Sequence, residues 1–110
     1  MAGADVAATV DPVAEGVDFH DIQDMPLESY DAVLACIPDQ AKMEVLGYLL
    51  EHGKHVLVEI PMGLNLAEAE QVAAMEEQTG LVCMVCHTGR YGTAQQEVVR
   101  RVRAGQLHLH

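Results

Sequence analysis

One nine-residue stretch, Gly53-Lys54-His55-Val56-Leu57-Val58-Glu59-Ile60-Pro61, constrains this chain more than any other. Gly53 takes a positive φ without steric cost, which suits the residue that closes a helix. Val56, Leu57 and Val58 form an unbroken apolar run, the pattern of a parallel strand covered on both faces. Pro61 has no N–H for a ladder, so strand pairing ends before it. Glu59 is left at the carboxyl end of the strand, the edge at which open α/β sheets bind ligands.

The flanking segments extend this pattern. Residues 6–10 are small and β-branched and run into Asp11-Pro12, so a short strand ending in an acid is expected there. Residues 13–30 are mixed, acidic and broken by Gly16 and Pro26, which predicts a loop with one turn of helix. Residues 32–37 read as a second buried strand ended by Pro38, with Asp39 placed to cap the next helix. Ala41, Val45, Tyr48 and Leu49 give that helix its apolar stripe, and Gly53 stops it. Asn65 and Glu68 form a variant capping box, with Glu68 reaching back to the cap's own N–H. The helix they open has the stripe Leu66, Ala69, Val72 and Ala73 and ends at Gly80. Residues 81–86 are a third apolar strand. A last helix carries Ala94, Val98, Val99 and Val102 and ends at Gly105, and a further strand is expected to begin at Leu107. Alternating strands and helices with short connections predict right-handed crossovers, a parallel sheet and helices over its faces.

Charge narrows the functions open to such a fold. Lys plus Arg number 6 against 17 Asp plus Glu, a net charge of −11. A nucleic-acid backbone or an anionic membrane needs clustered cations, so neither is expected as a partner. Arg90, Arg100, Arg101 and Arg103 gather at the end of the chain, whereas every acid except Glu97 lies at or before Glu77. Three cysteines, an odd number, with no leader pattern at the start, point to the reducing cytoplasm. Cys83-Met84-Val85-Cys86-His87 has the spacing of a haem-attachment motif. Residues three apart on a strand face opposite sides, however, so the two thiols cannot reach one porphyrin or one metal ion. The cysteines are expected to be small core residues, and no metal is expected.

The string Gly53-Lys54-His55-Val56-Leu57-Val58-Glu59-x-Pro61, followed by a Leu/Ala/Glu-rich helix and a strand entering His87-Thr88-Gly89-Arg90-Tyr91, resembles the nucleotide-binding domain of the Gfo/Idh/MocA oxidoreductases. The resemblance is strongest over residues 31–105. It implies an α/β fold, a doubly wound parallel sheet of Rossmann type, in a family that adds a C-terminal mixed-sheet domain. It also implies NADP or NAD as cofactor. Within the family, the likeness is to a branch that oxidises the cyclic hemiacetal of a carboxylated aromatic ring-cleavage product with NADP. The alternative is a non-catalytic nucleotide-binding or docking module related to the sugar and inositol dehydrogenases.

Carried over residue by residue, the resemblance sets Asp11 at the end of the second Rossmann strand, where an acid binds the adenosine ribose. An acid there repels a 2′-phosphate and favours NAD, against the habit of that branch. Cys36, Ile37 and Pro38 would lie along the dinucleotide, and Glu59 and Pro61 near the nicotinamide ribose. His87 would lie near the nicotinamide and Arg90 near a small carboxylated substrate. Several positions depart from the family pattern. No Gly-x-Gly-x-x-Gly turn or first strand precedes Asp11, Ile60 replaces a lysine, as in that branch, Lys42 a histidine, Cys86 a glycine and Gly89 an arginine. No C-terminal domain with its catalytic histidine follows. The expectation is a truncated Rossmann domain spanning residues 1–110 that does not catalyse alone and whose bare sheet edge favours self-association.

Overall fold

The computed structural model describes residues 3–108. Its sheet has three parallel strands, β1 (Ala32–Ala35), β2 (His55–Glu59) and β3 (Cys83–Cys86), in the order β1-β2-β3. Helix α1 (Asp39–Glu51) joins β1 to β2, and α2 (Leu66–Thr79) joins β2 to β3. A 3₁₀ turn, Thr88–Tyr91, then leads to α3 (Thr93–Arg103). This is the parallel α/β order read from the sequence. Gly53, Gly80 and Gly105 take positive φ just beyond α1, α2 and α3, as helix-ending glycines do.

The core lies on one side of the sheet. Ala35, Val56, Val58 and Cys83 point into it and meet Leu46, Leu49 and Leu50 of α1 and Val72 of α2. Fully burying each such leucine or valine contributes about 1.5–3 kcal/mol. The other side corrects an expectation. Leu34, Leu57 and Met84 form one cross-strand row, yet they are 56%, 38% and 42% exposed. The apolar run at residues 56–58 is therefore covered on one face only, because α1 and α2 lie on the same side. Helix α3 packs on the 88–91 turn instead, and its expected core residues Val98 and Val99 stay about half exposed. The radius of gyration is 17.0 Å, against about 13 Å for a compact domain of this size.

Other local expectations shift for identifiable reasons. Residues 6–10 do not join the sheet. The Thr9 carbonyl accepts from Asp18 and Phe19, the Asp11 N–H donates to Phe19, and Asp18 Oδ2 accepts from the Thr9 N–H and hydroxyl. These groups are used in a local loop that leaves one parallel bridge, Val10 to Phe19. Residues 13–30 hold two 3₁₀ turns, Ile22–Asp24 and Leu27–Ser29, rather than one helical turn. Asp39 does not cap α1: Pro38 is the N-cap, and the Asp39 carboxylate pairs with Lys42 at 2.9 Å. In α2, Asn65 caps as expected, but Glu68 accepts from the N–H of Leu64, one residue before the cap, and Leu66 is exposed. The strand expected from Leu107 runs towards residues 109–110, outside the described residues.

Candidate functional site

The carboxyl edge of the sheet is built by the last residues of three strands. Glu59 pairs with Cys86, and Cys36 follows the Ala35–Val58 pair, so Cys36, Glu59 and Cys86 form the next row beyond Leu34, Leu57 and Met84. Side chains alternate along a strand, so this row shares the open side of the sheet. Burial pushes the Cys86 thiol above its usual range, and the neighbouring Glu59 carboxylate and Cys36 push it further. Cys83, on the inner side, is raised by burial and then by Glu76. Only Cys83 is buried; Cys36 is exposed and Cys86 half-buried, so the expectation of three core cysteines holds for one.

Two turns flank the row. Ile37, half-buried against the core, and Pro38 lead from β1 into α1. Ile60 and the exposed Pro61, joined by a cis peptide, lead away from β2. His87 follows β3 and is exposed, and its carbonyl accepts from the N–H of Arg90 in the 88–91 turn. Arg90 lines an open groove of about 480 Å³ with Gln95, Gln96, Val99, Arg100 and Arg103. Arg100 and Arg101 both bond Glu97, which holds that carboxyl down at about 2, mainly through the Arg100 hydrogen bonds. Among the described residues Arg90 and Arg103 form no ion pair. Of the residues picked from the sequence, Cys36, Ile37, Pro38, Glu59, Pro61 and His87 thus belong to one edge, with Arg90 just beyond it. Asp11 does not join them: it lies outside the sheet, and its carboxylate accepts from the N–H groups of Val13 and Ala14, which hold it below the usual range.

Sequence reasoning gave no role to Lys42, behind this edge, or to Lys54, at the opposite end of β2; His55, which begins β2, is a structural residue. Lys42 is fully buried and bonds the carbonyls of Glu59 and Pro61. Lys54 bonds the carbonyls of Leu27 and Tyr30 and lies over the Tyr30 ring. His55 Nδ1 accepts from the N–H of Val82, tying β2 to the approach to β3. One signal was available for Lys42: it is in helical register with the buried Leu46, Leu49 and Leu50.

The model of an oxidoreductase family with an NAD-binding Rossmann fold, Gfo/Idh/MocA, matches residues 3–87. The chain belongs to the Gfo/Idh/MocA oxidoreductase family. Over 106 residues this Gfo/Idh/MocA chain is 38% identical to a 4-carboxy-2-hydroxymuconate-6-semialdehyde dehydrogenase from a Sphingobium strain, covering 96% of the chain and 33% of that relative. It is 30% identical over 77 residues to a scyllo-inositol 2-dehydrogenase (NAD(+)) of Bacillus subtilis, covering 70% of the chain and 22% of the relative. Among solved structures, a 3-ketoreductase from Actinomadura kijaniata in complex with NADP matches with a TM-score of 0.65 and 27% identity, over 71% of this chain and 25% of that one. The chain thus spans a third or less of each relative, and the part it shares is the nicotinamide dinucleotide-binding domain.

Residues 36–38, 59–61 and 87 present exposed and half-buried backbone, thiol and carboxylate groups along the edge. Among the described residues no helix is long and apolar enough to cross a membrane.

Proposed function

We propose that this chain is the cofactor-binding part of a dehydrogenase that oxidises the hemiacetal of 4-carboxy-2-hydroxymuconate semialdehyde to 2-pyrone-4,6-dicarboxylate, a step in aromatic-compound breakdown. The observation that carries the reading is the gathering of residues 36–38, 59–61 and 87 at one sheet edge, with a free arginine beside it. Cys36, Ile37 and Pro38 line the dinucleotide, and Glu59 and Pro61 orient the nicotinamide ribose, the Glu59 carboxylate accepting from its hydroxyls. His87 borders the nicotinamide. Arg90 grips a substrate carboxylate through its guanidinium fork, which suits a small carboxylated molecule. Bound nicotinamide would accept the hydride leaving the hemiacetal carbon. None of these residues is assigned as the base that takes the hydroxyl proton. A ribose role for Asp11, which would favour NAD, requires the cofactor to reach past the edge to the loop at residues 9–19, where Asp11 lies. Three free cysteines support a cytoplasmic setting.

The test is a thermal melt by circular dichroism with and without NAD and NADP. A ligand bound only by the folded state stabilises by about 2.7 kcal/mol at a hundredfold excess over Kd. A midpoint raised by a nucleotide supports the reading, and Asp11→Ala should then weaken discrimination against NADP. A melt indifferent to both removes it. A second reading, a non-catalytic docking module related to the inositol dehydrogenases, is favoured by the bare Leu34–Leu57–Met84 row. Sedimentation separates the two, since a clean monomer speaks against docking between copies.

A further inference from the structure

Lys42 is the most deeply buried charge in the described residues, with its whole residue at 0% exposure. An unpaired buried ammonium is costly, so its partners show what it is for. Its three N–H groups have three acceptors: Asp39 Oδ1 at 2.9 Å, the Glu59 carbonyl at 2.8 Å and the Pro61 carbonyl at 2.6 Å. No donor remains for a ligand, and the head is closed off from solvent. These acceptors belong to the two turns that flank the candidate edge. Asp39 opens α1 directly after Pro38, whereas Glu59 and Pro61 bracket Ile60 at the end of β2. The turn after β2 lies beyond the last ladder pair, Glu59 with Cys86, so the sheet does not hold it.

We propose that Lys42 is a positioning residue that fixes the distance between the two lips of the nucleotide edge, residues 37–39 and residues 59–61. This rests on the nucleotide reading above, which it deepens by naming what holds the site in shape. The ammonium acts as a three-way tie: it pulls two carbonyls of one lip towards a carboxylate of the other. Asp39 keeps 40% of its side chain exposed, so it remains solvated when the ammonium is removed. The two carbonyls lose their donor, and the 59–61 turn loses its link to α1. Small misplacements of positioning groups have large effects on binding and catalysis, so the edge should be sensitive to this tie.

The test compares wild type, Lys42→Met and Val72→Ala, the last a core truncation in α2 at a residue that makes none of the tie's bonds. Amide order parameters by ¹⁵N relaxation are read at Ile60, Met62 and Gly63, with Val56 and Val58 as internal reference, and the Kd for NAD and NADP is measured by calorimetry. Lys42→Met should lower the order parameters at 60–63 from the rigid range towards that of mobile loops, leave 56 and 58 unchanged, and weaken the nucleotide about tenfold. Val72→Ala should change neither. If Lys42→Met does not fold, Asp39→Asn takes its place: residues 39–41 should loosen and the nucleotide weaken at least threefold. If wild type binds neither nucleotide while 60–63 still loosen in Lys42→Met, the tie stands and the nucleotide reading fails. Unchanged order at 60–63 in Lys42→Met, or an equal affinity loss in Val72→Ala, overturns the proposal, as does an unloosened 39–41 in Asp39→Asn.

Discussion

Replacing Lys54 by methionine should destabilise the fold by about 2–3 kcal/mol. The ammonium bonds the carbonyls of Leu27 and Tyr30, the latter at 2.6 Å, and lies 4.6 Å from the centre of the Tyr30 ring. Each hydrogen bond from a charged donor contributes about 1.5–3 kcal/mol, and the cation–π contact about 0.5–1 kcal/mol. Ordering the lysine side chain opposes this by about 1.5–2 kcal/mol, and water can replace part of the loss at carbonyls that are only partly buried. Methionine keeps the apolar stem, so packing changes little. The assay is urea unfolding followed by circular dichroism. With a slope of about 1.5 kcal/mol/M, the midpoint should fall by about 1.5 M at constant slope. Tyr30→Leu in the Lys54→Met background should lose about 0.5–1 kcal/mol less than in wild type, the coupling due to the ring. A midpoint shift below about 0.3 M would show that the loop at residues 27–30 is held by its apolar contacts alone, and the reasoning would be refuted.

Two further outcomes test the open sheet face and α3. Val58→Thr places a hydroxyl without a partner at a fully buried site and should cost about 1–3 kcal/mol, whereas Leu57→Thr on the open face should cost about 1 kcal/mol or less by the same urea assay; equal costs would mean that the outer face is covered in solution. Glu97 is lowered from 4.5 to about 2, so its contribution to α3 is complete above pH 4.5 and is lost as pH falls through about 2. Helicity of α3, read as the difference in ellipticity at 222 nm between wild type and Glu97→Gln, should therefore hold from pH 7 to about 4.5 and disappear by about pH 2, and a difference that is absent at pH 7 would count against the Arg100–Glu97–Arg101 cluster.

The strand and helix order was legible because it rests on local chemistry. Apolar runs end at Pro38 and Pro61, and helices end at Gly53, Gly80 and Gly105, whose positive φ the structure bears out. Misreadings arose where a choice depends on distant partners. Whether Leu57 is buried depends on which side α1 and α2 both take, and nothing within residues 56–58 records that. Whether residues 6–10 pair with the sheet is decided at Asp18 and Phe19, which take up the backbone groups of Thr9 and Asp11. Asp39 has the chemistry of a cap but sits beside a buried lysine, and the ion pair prevails over the cap. A lysine on the core side of a helix also looks like a solvated one until its three acceptors, two of them 17 and 19 residues away, are in view.

The same distinction explains why the family is readable and the substrate is not. In the string that carries the resemblance, Gly53 turns the chain, Lys54 ties down the loop at residues 27–30, His55 accepts from Val82, and Val56 and Val58 fill the core. Each of these is a structural duty that does not depend on what the protein acts on. The side chains of Glu59, Ile60 and Cys86 carry no such bond among the described residues, and Ile60, Cys86 and Gly89, with Lys42 behind them, are the positions that the resemblance marks as departures. Lys42 and Ile60 bear on the same turn. The resemblance implies a lysine between the glutamate and the proline; here an apolar residue stands there, and an ammonium reaches the carbonyls on either side of it from α1. A Lys42→His, Ile60→Lys double variant would restore the family pattern at both positions. If the two positions act as a unit, it should lie closer to wild type in stability than the sum of its single variants, by at least 0.5 kcal/mol in the urea assay. Strict additivity would mean that the two positions do not act as a unit.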